Sequence, residues 1–307
     1  MGCHQDVSHM QLFNSRTQER MVKALFFIVA TSSIAVLLMI TLFLFKEGIP
    51  ILNKISVKDF ILGDYWYPTS DPPDFGIFPL IVGSLAVTAI SAVVSIPLGV
   101  MTAVYLSEIA SARLREIVKP VVELLASLPS VVIGFFGMVL LAPFLQEVFD
   151  IATGLNMFNA ALMLGFMSVP TICSISEDAL YSVPTNLKEA SLALGATPFE
   201  TIVNVTIPAA LSGISTAVIL GMSRAIGETM VVLMVAGGAA MVPGSIFDPV
   251  RPLPASIAAE MAEAPYRGDH YYALFATGIV LFIFTFLFNL IADYISNKYR
   301  QVGDATL

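Results

Sequence analysis

The chain has 307 residues, of which 57% are hydrophobic and only 12% charged, with a mean hydropathy of +0.84. That is about half the ~25% charge of a soluble domain, too little polar surface to cover so much apolar side chain and too apolar for disorder. Fifteen Lys and Arg against 23 Asp and Glu give a net charge of −8, the wrong sign for a nucleic-acid backbone, so no nucleic-acid partner is expected. What remains is an all-α integral membrane protein surrounded by lipid bilayer.

The N-terminal Met1-Gly2-Cys3 carries no lipidation signal, because Asp6 stands where myristoylation requires Ser or Thr. The two cysteines, Cys3 and Cys173, make no disulfide framework, and His4, His9 and His270 are remote from one another in sequence, so neither metal nor cofactor is expected. Charge-free runs then delimit the spans. Ala24–Phe45, Phe75–Ser107, Leu124–Gln146, Ile151–Ser176 and Tyr271–Ala292 each exceed the ~20 helical residues that cross a bilayer core. Between the fourth and last of these, Thr201–Ser223 and Thr229–Phe247 are interrupted by Arg224 and Glu228. The interruption holds only isolated glycines and no connecting turn, which predicts one long helix from about Pro208 to Gly237 and six spans in all.

With both termini cytoplasmic, the inner segments hold nine Lys and Arg and the outer segments five, a moderate positive-inside bias. Two outer segments, roughly 46–76 and 242–270, are long and rich in proline and acid. They either dock a soluble partner or simply connect the spans.

The inner loop after the fourth span is the most patterned part of the chain. Pro184 suits a helix start, a short helix can run to Leu194, and Gly195 suits the left-handed residue beyond its end. Thr197-Pro198-Phe199-Glu200 reads as a capping box with proline at the first helical position. The loop therefore predicts helix, corner and second helix, an elbow able to transmit force.

Within it, Glu189-Ala190-Ser191, Gly195, Val205, Ile207 and Pro208 resemble the EAA loop of ABC importer permeases, in which a short coupling helix seats on the ATPase subunit. Leu128-Pro129-Ser130-Val131-Val132-Ile133-Gly134, Ser176-Glu177-Asp178-Ala179-Leu180 and Arg224-Ala225-Ile226-Gly227-Glu228-Thr229-Met230 further resemble the phosphate-specific ABC permeases, closer to their C-type subunit. The resemblance runs over roughly residues 78–291. It implies a type I (MetI-like) permease fold in a multi-pass plasma-membrane protein. It also implies a second homologous permease, an ABC ATPase dimer, an extracytoplasmic phosphate-binding protein and inorganic phosphate as partners. On this reading residues 1–76 are the N-terminus, first span and outer loop. Residues 77–293 are the permease domain with its coupling loop at 177–207, and 294–307 are a cytoplasmic tail. The coupling residues are Glu189, Ala190, Ser191, Gly195 and Pro208. The paired A-type permease, a sulfate or molybdate permease and an ATP-independent anion transporter stay open as alternatives.

Arg224 and Glu228 stand one helical turn apart, so a continuous helix pairs them on one face. An unpaired Arg in mid-membrane costs ~2.5–3.5 kcal/mol even on lenient scales, and its planar fork of donors suits an oxyanion. The expected roles are transient anion contact for Arg224 and poising by Glu228, against a purely structural ion pair. Gly213, Ala217, Gly221 and Gly227 form a small-residue row on the same helix, for close packing or a narrow path. Pro129 with Ser130, and Pro170 with Ser168, mark helix breaks that serve either a pathway or a packing kink. Glu177, Asp178 and Glu123 are read as solvated interface residues. No P-loop occurs, so any ATP must be hydrolysed by a partner and the chain itself is not an enzyme.

Overall fold

In the computed structural model, which describes residues 5–300, the chain is a bundle of apolar helices with a small hairpin at one end. In chain order the elements begin with α1 (Gln5–Leu52), α2 (Val57–Leu62), β1 (Trp66–Tyr67), β2 (Asp74–Phe75) and α3 (Phe78–Val104). Then follow α4 (Ala112–Ala126), α5 (Ser130–Phe136), α6 (Ala142–Phe149), α7 (Met157–Tyr181), α8 (Thr185–Ala193), α9 (Pro198–Thr201) and α10 (Ile207–Ala209). The last are α11 (Leu211–Ile226), α12 (Met230–Val235), α13 (Leu253–Glu260) and α14 (Asp269–Arg300). Wide π-helical turns follow α3 (Tyr105–Ile109), α5 (Gly137–Leu141) and α9 (Ile202–Thr206). Cys3, His4 and residues 301–307 lie outside the described residues.

Among the described residues, five helices are long and apolar enough to cross a membrane: Glu19–Leu52, Phe78–Ile109, Ser130–Phe149, Met157–Tyr181 and Asp269–Ile291. Pro198–Ala209 and Leu211–Ile226, bent by 68°, make the sixth. Several boundaries differ from the sequence reading, the first span running on from Phe45 to Leu52. The third span starts at Ser130 rather than Leu124, because residues 112–126 fold as a separate, charge-bearing helix and Pro129, extended at ψ 134°, starts α5 afresh. The fourth starts at Met157, where Asn156 accepts a hydrogen bond from the Asn159 amide at 2.9 Å, and α7 runs unbroken through Pro170. The fifth is no single helix. Pro208 lacks an N–H and its ring crowds the preceding turn, and the chain bends at Ala210 just beyond it. At Gly227 the helix stops again, and α12 begins three residues later.

The core is a seam of three helices. Ile172 of α7, with no exposed surface, sits between α3 and α11. A Cβ added to Gly99 of α3 would stand 2.7 Å from Ile172 Cγ2, and one on Gly221 of α11 would stand 2.5 Å from Cγ1. Gly213 likewise meets Ala179 of α7, and Ala217 between them is fully buried. The small-residue row is thus a packing seam, since lipid offers no hydrophobic drive and close backbone approach supplies the contact. Gly227 alone of the four has open space around it. At the edge of the bundle α1 leans on α14, with Gly48 against the Ala276 backbone and Phe43 edge-on to Phe275 at 5.6 Å.

The two ends differ. At the hairpin end Ile51, Phe60, Trp66, Phe75, Leu253 and Leu274 close into one buried cluster, so both long connecting segments fold against each other. The opposite, elbow end gathers Leu106, Leu180, Val183, Ala210 and Ile214.

Gly221→Val should overpack the seam and Ile172→Ala should empty it, lowering stability by about 1–3 and about 2–5 kcal/mol respectively. Because they share one contact, the double variant should lose less than the sum, measured as the thermal midpoint in detergent. Simple additivity would show that the two side chains do not meet.

Candidate translocation and coupling site

The elbow forms as its sequence dictates. Pro184, extended at ψ 133°, precedes α8, and Leu194 ends it. Gly195 adopts φ +90° with nothing within 4 Å of its missing side chain, so its role is conformational. Thr197 Oγ1 accepts from the Glu200 amide at 3.3 Å, while Glu200 Oε2 accepts from the Thr197 amide at 2.8 Å. This closes the capping box that starts α9. Ser191 links the two limbs through a 3.0 Å hydroxyl contact with buried Thr201. Glu189 and Ala190 face solvent, and Pro208 lies exposed just before the bend. Leu194 and Phe199 stand out at 90% and 74% exposure, an apolar tip on a polar loop.

The other site brings together less than the sequence predicts. Arg224, in the last turn of α11, is exposed and has no ion-pair partner among the described residues. Glu228 does not pair with it. The break at Gly227 takes Glu228 off the helix, and its Oε1 accepts from the amides of Met230 (3.1 Å) and Val231 (3.3 Å), capping α12. The expected i, i+4 pair is therefore corrected: a short carboxylate beside two free backbone donors bonds to them rather than to a guanidinium one turn back. Pro129 and half-buried Ser130 begin α5. Gly134 of α5 faces Val231 and Met234, and Gly137 faces Val235, so α5 and α12 run side by side in one direction. Their starts, Pro129–Ser130 and Glu228–Thr229, lie at the same level. Next to Arg224, Ser223 Oγ donates to Asn289 Oδ1 of α14 at 2.7 Å, tying α11 to the last span.

Residues 95–301 match the family of binding-protein-dependent transport system inner membrane components. The chain belongs to this family. It is 40% identical to the probable ABC transporter permease protein YqgH of Bacillus subtilis, covering 86% of both chains. It is also 36% identical to the phosphate transport system permease protein PstC of Mesorhizobium japonicum, over 76% of this chain and 77% of that one. Among solved structures it resembles the MetNI methionine ABC transporter, inward facing, with TM-score 0.54 and 25% identity over 71% of this chain and 93% of that one. A bacterial alginate ABC transporter shares the fold alone, at TM-score 0.58 and 15% identity over 89% and 94%. The protein is thus a multi-pass membrane permease of the MetI-like type.

The permease also has buried charges that sequence reasoning missed. Glu177, read as a solvated interface residue, is 3% exposed and pairs with Lys119 of α4. Lys119 reaches Asp178 as well, at 2.8 Å, and the two carboxylates raise its pKa. Glu108, in the π turn after α3, pairs with Lys188 of α8 at 2.8 Å. At the hairpin end Glu260 joins four segments. It accepts from Trp66 Nε1, pairs with Arg251, contacts His270 Nε2 at 2.8 Å and meets Ser256 Oγ at 3.3 Å. A cavity of about 550 Å³ opens beside it, lined also by Tyr67, Thr69 and Glu263. Partners 58, 80 and 194 residues apart leave no local signal in the sequence.

Thr197→Ala should open the elbow locally, raising hydrogen exchange at the Glu200 amide about fivefold, the scale of a lost helix cap. Protection unchanged in that variant would remove the capping box from the account.

Proposed function

We propose that the permease is the C-type membrane subunit of an ATP-driven phosphate importer, with residues 77–293 as its transport domain. The observation that carries the coupling half of this reading is the elbow. A capped helix pair with an exposed apolar tip lies between α7 and the bent fifth span. Leu194 and Phe199 would enter a groove on a separate ATPase dimer, with Glu189, Ala190 and Ser191 on the same short helix. Movement of α8 reaches α7 through residues 182–184 and α11 through α9 and the bend at Ala210. A second, homologous permease completes the pathway, and an extracytoplasmic phosphate-binding protein delivers the ion at the hairpin end. The name of the 36% identical relative supports phosphate as the ion.

In this reading the ion meets the break in the fifth span. Arg224 offers a planar fork of donors with no carboxylate paired to it, suited to a tetrahedral oxyanion. Beside it, the start of α5, with Pro129 and Ser130, adds the positive end of a peptide dipole. Glu228 contributes by holding the start of α12 in place rather than by poising Arg224.

The test is uptake of radiolabelled phosphate by a strain whose only copy is the one supplied. Competition by sulfate or molybdate instead would reassign the ion. Arg224→Ala and Arg224→Lys should each abolish uptake while the ATPase still co-purifies, because Lys lacks the fork. Glu228→Gln keeps the accepting oxygen and should retain most uptake, whereas Glu228→Ala should lose more. Normal uptake in both Arg224 variants would remove the ion from this position.

A further inference from the structure

We infer that Lys188 and Glu108 form a strut through which the coupling helix drives α3, the one seam helix with no short covalent link to the elbow. The inference rests on the coupling reading above and adds a positioning pair to it. The elbow is continuous with α7 and, through α9, with α11. It reaches α3 across space instead. Lys188 Nζ of α8 lies 2.8 Å from Glu108 Oε1, with side-chain exposures of 24% and 9%.

Glu108 is built to receive it. It sits in the π turn Tyr105–Ile109 that ends the second span, and Ser107 Oγ donates to the same Oε1 at 3.0 Å. The turn is fixed from two further sides. Arg115 of α4 donates from Nε to the Leu106 carbonyl at 2.8 Å and from its terminal nitrogen to the Ser107 carbonyl. Its guanidinium also lies over the Tyr181 ring at the end of α7, 5.6 Å from the ring centre. Leu106, 2% exposed, anchors the turn in the elbow-end cluster with Leu180, Val183, Ala210 and Ile214. The carboxylate is thus oriented by its own neighbour on a turn the core holds still, and among the described residues the long side chain that reaches it comes from the coupling helix. A nearly buried carboxylate is held strongly by its cation, because separating them leaves a charge with little water. The pair therefore resists extension when α8 is displaced, and α3 follows.

The test uses the whole complex, recovered through a tag on this chain and reconstituted in vesicles. Phosphate uptake and ATP hydrolysis are measured together. Lys188→Glu and Glu108→Lys should each cut phosphate moved per ATP by about tenfold, the scale of orphaning one member of a buried pair, while the ATPase co-purifies as in the wild type. The exchanged double variant should recover most of that ratio, and Lys188→Arg should keep it. A wild-type ratio in either single variant, no recovery in the exchange, or loss of the ATPase from the single variants would each overturn the strut. A merely structural pair would alter the amount of complex but not the ratio. If the unaltered complex moves no phosphate, the phosphate reading fails, and the strut is then judged by the ATP hydrolysis the binding protein evokes in the same four variants.

Discussion

Everything else in this protein hangs on the contact of Ile172 with two glycines. In lipid the helices gain nothing from hiding apolar surface from one another, so they hold together only where backbones approach closely enough for dense van der Waals contact. Gly99 and Gly221 allow that approach on either side of one β-branched side chain, and Gly213 repeats it against Ala179. Helices α3, α7 and α11 thereby become one block. The elbow joins two members of that block, so any displacement of α8 is delivered to packed helices rather than absorbed by a flexible connection.

Charge is placed on the block with the same economy. Burying Glu177 and Glu108 at the elbow end costs several kcal/mol each unless a cation is fixed beside them. Lys119 and Lys188 provide those cations, and each comes from a helix outside the seam. The pairs consequently do what apolar contacts cannot: they tie polar, surface-lying helices to a core they would otherwise slide across. At the hairpin end Glu260 plays the corresponding part. One carboxylate, 14% exposed, satisfies donors from the hairpin, the loop after α12, α13 and the start of α14.

What could be read from the sequence was whatever a short stretch of chain decides alone. Charge-free runs gave the number of spans, because the bilayer tests each segment for length and polarity independently of its neighbours. Thr197 and Glu200 were legible because a capping box is three residues wide. The elbow followed from Pro184, Gly195 and Pro198 for the same reason. The failures all required knowing what lay across space or which of two local bonds would win. The last residues of α4 read as the start of a span because Leu124 and Leu125 are apolar, although Lys119 holds that helix against Glu177. Arg224 and Glu228 were paired by helical spacing, yet the carboxylate had the amides of Met230 and Val231 within reach. Glu260 is one acid of an acid-rich outer segment to a local reading, because its donors lie as far as 194 residues away.

The broken fifth span reverses the electrostatic sense of the proposed pathway. A paired Arg224 and Glu228 would be close to neutral, and an oxyanion would have to displace a carboxylate to bind. With Glu228 turned onto α12, the guanidinium keeps its full charge, offset only by the negative end of the α11 dipole, equivalent to about half an elementary charge. The start of α5 points its free amide end at this level, whereas Glu228 already occupies the amides that open α12. The anion then has no carboxylate to displace from the guanidinium. Release remains easy because a single guanidinium holds it and the dipole end of α5 is partial. A site built to pass an ion has to be weak in this graded way, and a helix broken beside an arginine supplies that weakness by turning the neighbouring carboxylate onto the next helix start.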